Sequence, residues 1–71
     1  MPDFRLLDVI ALANDRADLG LVKGQVGTLV EQLQDNVFDV EFSDDQGRTY
    51  TTAALRTDEL IRLHHRPVKA A

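Results

Sequence analysis

The stretch Leu19–Val30, LGLVKGQVGTLV, followed by Val37–Ser43, VFDVEFS, decides the fold. Gly24 and Gly27 flank Val26 ahead of a β-branched run, a pattern that turns the chain sharply and then leaves one strand position without a side chain, for close backbone approach. In the second segment Phe38, Val40 and Phe42 fall on one strand face, and Val37, Asp39, Glu41 and Ser43 on the other. An apolar inner face and an acidic outer face, entered through a glycine bend, describe a small curled antiparallel sheet.

Working outward, Leu6–Ala13 (LLDVIALA) reads as a first strand with apolar residues on both faces. Residues 14–23 form a polar loop carrying Gly20, the place where such modules carry ligand contacts. Gln25–Leu33 is the second strand, Gln34, Asp35 and Asn36 a tight connection, and Val37–Ser43 the third strand. The turn Asp44-Asp45-Gln46-Gly47 leads to a fourth strand, Arg48–Ala54, with Tyr50 packing opposite Phe42; a slip of one residue would turn Tyr50 outward. Thr57-Asp58-Glu59-Leu60 reads as a one-turn helix capped by Thr57, with Leu55 and Leu60 plugging the barrel end before a last strand, Ile61–His64. The expectation is one all-β domain, an SH3-like barrel of about five antiparallel strands over residues 6–65. Residues 1–5 would be an N-terminal arm, with Phe4 spare, and residues 66–71 a mobile tail beyond the last strand.

Composition bounds the function. Seventy-one residues bury only roughly 60% of the unfolded surface, so a staple or partner would help, and with no cysteine neither a disulfide nor a thiolate metal site can be the staple. No apolar run approaches the roughly 20 residues of a membrane helix, and Asp8 interrupts any signal-like segment, which favours a cytoplasmic location. Net charge is −4, divided between a body, residues 1–61, holding all twelve acids against five bases, and a basic end carrying Arg62, Arg66 and Lys69. Between residues 31 and 45 stand Glu31, Asp35, Asp39, Glu41, Asp44 and Asp45 without a lysine or arginine, a surface that repels a phosphate backbone.

No reaction is named by the residues. Ser43 is the only serine, and nucleophilic catalysis needs a base beside an activated nucleophile. Asp39 and Glu41 share a face about 7 Å apart by strand rise, but so small a barrel offers no enclosing cleft. His64 and His65, adjacent on a strand, point to opposite faces and do not converge on one ion, and the Asp44-Asp45 turn is too short to supply the six or more oxygens calcium takes. Gly24-Gln25-Val26-Gly27 lacks phosphate-loop spacing. The expectation is therefore no enzyme, no metal and no cofactor.

Pairing across the first hairpin sets Glu31 opposite Asp39, and like charges directly opposite destabilise a sheet. Solubility and edge protection explain such a surface most simply; a functional explanation is a basic protein partner, contacted by Glu31, Asp35, Asp39, Glu41, Asp44 and Asp45 together with Asp15, Arg16 and Asp18 of the first loop. Gly20, Gly24, Gly27, Gly47, Phe38, Val40, Phe42 and Tyr50 are the expected structural residues. Two other readings stand beside this one: a nucleic-acid-binding barrel using Lys23, Arg48 and the Arg62–Lys69 segment, which the acidic balance argues against, and self-association through strand edges.

The segments Leu7–Leu12, Gly20–Glu31 (GLVKGQVGTLVE), Val40-Glu41-Phe42, Gly47–Tyr50 (GRTY) and Leu55–Leu63 resemble a family of small bacterial proteins of unknown function, number 4926, over about residues 6–63. Residues 14–18 stand where a proline-containing loop is expected. The resemblance implies an SH3-like barrel akin to that of the nitrile hydratase β subunit, and a role as an antitoxin or immunity protein, or as an accessory subunit of such an enzyme. It carries over no catalytic residue.

Overall fold

The computed structural model describes residues 4–64. Five strands, β1 (Val9–Leu12), β2 (Val26–Gln34), β3 (Val37–Ser43), β4 (Thr49–Arg56) and β5 (Leu60–Arg62), form one antiparallel sheet in the order β4-β3-β2-β1-β5. A 3-10 turn at Ala17–Leu19 lies in the β1–β2 loop, and a second, Thr57–Glu59, precedes β5. This is the expected all-β architecture of five antiparallel strands with a single helical turn before the last. Among the described residues no helix is long and apolar enough to cross a membrane.

β3 occupies the range its alternation predicts, and that alternation is strict: Phe38, Val40 and Phe42 are buried, while Val37, Asp39, Glu41 and Ser43 are partly exposed. Ile10 and Leu12 of β1, Leu21 of the loop, Leu29 of β2, Leu55 of β4 and Leu60 of β5 complete the core. Leu55 and Leu60, expected at a barrel end, are both buried in this core. The expected arm is in part structural, because Phe4 packs against the core, its ring 6.5 Å from that of Phe38.

Gly27 shows why the sheet can curl. A Cβ at this position would stand 2.8 Å from Val40 Cγ1 and 3.0 Å from both the Glu41 carbonyl oxygen and Phe42 Cδ1. The strand position left empty in the sequence is thus filled by inward side chains of the neighbouring strand. Gly24 and Gly47 serve differently, adopting φ of 92° and 80°, the left-handed region that suits glycine in turns.

Several boundaries move. The first strand does not begin at Leu6: Leu7 takes φ 71°, donates its N–H to the Leu29 carbonyl at 2.6 Å and points into solvent, so regular pairing starts only at Val9. The first hairpin closes on two residues, Asp35 and Asn36, with Gln34 still in β2, and irregularities at Val30 and Leu33 bend that strand. β4 runs to Arg56, and the last strand is Leu60–Arg62 rather than Ile61–His64. Tyr50 is not a core residue. The register that pairs Val40 with Ala53 and Glu41 with Thr52 sets Thr51, not Tyr50, opposite Phe42, and strand alternation then turns Tyr50 outward, 48% exposed.

Substituting Gly27→Ala should destabilise the domain by about 1–3 kcal/mol, because the added methyl meets backbone as well as side chains. Urea unfolding measures the loss, whereas Gly47→Ala, with open space around its Cβ, should show only the milder penalty of its positive φ.

Candidate functional site

The sequence-derived contact residues separate into two groups, one structural and one free. Arg16 belongs to the first. Its Nη1 donates to Glu59 Oε1 at 2.5 Å, and its Nε and Nη2 form a two-pronged pair with Asp18 at 3.0 and 2.9 Å. Glu59 is buried, and its second oxygen accepts the N–H of Arg56 at 2.9 Å. The Ala13 N–H donates to the Glu59 carbonyl at 2.8 Å, so backbone and side chain together tie the first loop to the 3-10 turn before β5. Asp15 accepts the Lys23 N–H at 2.8 Å and closes the same loop. The two loop residues Arg16 and Asp18 are thus a clasp whose groups are already engaged.

Charge states follow from this geometry. Burial works against an ionised Glu59, but the Arg56 N–H and the Arg16 guanidinium outweigh it, holding the carboxyl below its ordinary value. Asp18 is likewise held low by its hydrogen bonds from Arg16, and Arg16 is pushed above its ordinary value by Asp18 and Glu59. Thr57 is not the cap expected of it. The residue flanking the turn is Arg56, and Glu59 at the third position of the turn reaches back to its N–H. The Arg56-x-x-Glu59 spacing carries half of a capping-box signature, and it was the signal available for Glu59.

The acidic hairpin is more varied than its composition suggests. Asp44 is a turn residue: its Oδ1 accepts the N–H groups of Gln46 and Arg48, both at 2.9 Å, and its Oδ2 lies 3.4 Å from Arg48 Nε. Asp45 is exposed at the same turn, beside a shallow depression lined by Val26, Gly27, Thr28, Ser43 and Asp44. Asp35 sits at the opposite hairpin tip, the length of β3 away, roughly 24 Å by strand rise. Three carboxylates do come together. Glu31 stands directly opposite Asp39, and Glu41 follows two residues along the same outer face, across from Thr28 on β2 and Thr52 on β4. Among the described residues no cation pairs with any of the three.

Among the described residues no group of three or more His, Asp or Glu is placed to hold a metal ion. His64 is exposed, and His65, like the segment 66–71, lies outside the described residues. The model of one family, described as a domain of unknown function (DUF4926), matches residues 6–62. The chain belongs to this family. The match spans all five strands and both the clasp and the carboxylate patch of this DUF4926 domain. Neither a curated protein nor a solved structure matches it.

Because the folded carboxyl of Glu59 lies below its ordinary value of 4.5, the clasp contributes its full stability above that pH and loses it as pH falls through the folded value. Glu59→Gln should therefore lower stability by about 1–3 kcal/mol at neutral pH, with the difference from the native protein shrinking below pH 4 to 5 in thermal unfolding followed by circular dichroism.

Proposed function

We propose that this DUF4926 domain is a non-enzymatic protein-binding module that presents the Glu31, Asp39 and Glu41 face to a basic partner. One observation carries the reading: the Glu31 and Asp39 carboxylates are directly opposed across β2 and β3, and none of the three face carboxylates pairs with a cation among the described residues. Opposed like charges cost the free domain a few tenths to 1 kcal/mol, a penalty that a cationic partner would convert into binding energy. The other acidic residues take lesser parts. Asp35 and Asp45, exposed at the two hairpin tips, can extend the rim, whereas Asp15, Asp18 and Asp44 have structural engagements of their own.

The glycine-bent meander with a helical turn before its last strand supports an SH3-like barrel, a scaffold used mainly for binding. A toxin-neutralising or enzyme-accessory role fits such a module, since a basic nucleic-acid groove on a toxin offers the complementary charge. The same face argues against the domain itself holding a phosphate backbone.

The test is a co-expression and pull-down with the product of the adjacent open reading frame. Charge reversal at Asp39→Lys and Glu41→Lys should abolish a complex that the native domain forms and that weakens with added salt; a complex that survives the reversal intact removes this face from the account. The neutral variant Asp39→Asn should stabilise the free domain by about 0.2–1 kcal/mol in urea titration while weakening the complex, a trade that a purely solubilising surface would not show.

A further inference from the structure

β4 ends the sheet. It pairs with β3 on one side, and on its other side no backbone hydrogen bond reaches residues 49–55 among the described residues; the Gln25 Nε2 to Tyr50 hydroxyl bond, 2.8 Å, is a side-chain contact at one end. The sequence of this edge, Thr49–Leu55, TYTTAAL, holds no charge, proline or glycine and is rich in strand-forming residues. Free edges are normally guarded by a charge, a proline, a bulge or brevity. β4 carries one irregularity, the extra residue Tyr50 between Thr49 and Thr51, and pairs regularly with β3 from Thr51 to Arg56; the other edges are guarded more fully. β5 is three residues long and ends in Arg62, paired with Asp8 at 3.4 Å, and the outer half of β2 is interrupted at Val30 and Leu33.

We propose that β4 is a homodimer interface, pairing antiparallel with β4 of a second copy about a two-fold axis at Thr52. Charge selects this edge and this occupant. At net charge −4, with its carboxylates gathered on β2 and β3, the domain repels its own copies over much of its surface, and Thr49–Leu55 is a strip where two copies meet without opposed charges. In the register centred on Thr52, Thr51 faces Ala53, and Tyr50 and Thr49, where the strand is irregular, lie toward Ala54 and Leu55. Beyond them Arg48 would lie across from Arg56, each already holding a carboxylate of its own chain, Asp44 and Asp58. A basic protein, by contrast, finds no carboxylate along this strand.

Closure points the same way. Joining β4 to β5 of another copy would match eight residues with three and leave a chain of copies open to growth, whereas β4 on β4 uses the long edge of both copies and stops at two. A domain of 71 residues also has the most to gain from shared burial. Paired residues of an antiparallel ladder share a face, so both carboxylate patches would lie on one side of a continuous ten-stranded sheet.

The experiment is sedimentation of the full chain at protein concentrations from about 1 µM to about 1 mM, with amide exchange recorded at both ends of the range. The average mass should rise from 7.9 kDa toward twice that and level off, and exchange in residues 49–55 should slow as it does so. The double variant Thr52→Lys with Ala54→Lys should remain at 7.9 kDa, since its lysines line the pairing edge while lying opposite Glu41 and Asp39 of their own chain, which keeps the monomer folded. A constant 7.9 kDa for the native chain, a folded double variant that still dimerises, or growth past two copies overturns the proposal. Should the variant fail to fold, the exchange data decide: slowing in β4 with concentration supports the interface, and unchanged β4 exchange refutes it.

Discussion

The curl of the sheet depends on the space left empty at residue 27, where the inward side chains of Val40 and Phe42 and the Glu41 carbonyl oxygen come as near as a side-chain carbon would allow. Because β2 meets β3 this closely, their shared inner face can wrap around Leu29, Phe38, Val40 and Phe42 rather than lie flat, and β1 on the far side of β2 brings Ile10 and Leu12 into the same core. A flat sheet of this size would leave one apolar face wet. Among the described residues the core contains nine buried apolar side chains, so loss of fit at a single strand crossing is felt across much of it.

The curled sheet still has a weak point, the long first loop between β1 and β2, which carries Leu21 into the core but forms little sheet of its own. Electrostatics holds it. Arg16 stretches from the loop to Glu59, forty-three residues later, and this pair joins the start of the meander to its end, where β5 must dock on β1. Charges thus divide by duty: Arg16, Asp18, Asp44, Arg56 and Glu59 hold turns and loops in place, while Glu31, Asp39 and Glu41 remain on the open face. On the proposed reading the division matters, since only carboxylates without internal partners can be neutralised by another molecule without loss to the fold.

Much of this was legible in the order of residues. The alternation in VFDVEFS determines β3 and its two faces, because side chains of a strand alternate whatever surrounds them, and it also places Glu31, Asp39 and Glu41 outside once the hairpin is paired. Glycines at 20, 24 and 47 mark positive-φ turns, and the glycine at 27 a close approach, for reasons local to the backbone. The family assignment, too, rests on the sequence alone.

What needed the tertiary structure was every pairing set by distant residues. Tyr50 faces outward because β4 pairs with β3 one residue away from the register that would set it opposite Phe42, a difference that changes no local preference and yet reverses a side chain. Leu7 bends away from a strand its composition favours because its N–H is taken by Leu29 across the sheet. Arg16 and Glu59 read as separate charges of a loop and a turn until the meander folds back and places them in contact, and only the sheet order leaves β4 at the rim. Periodicity determines which way a side chain points relative to its own strand; which neighbours it meets depends on loop closure over tens of residues, and no local pattern encodes that.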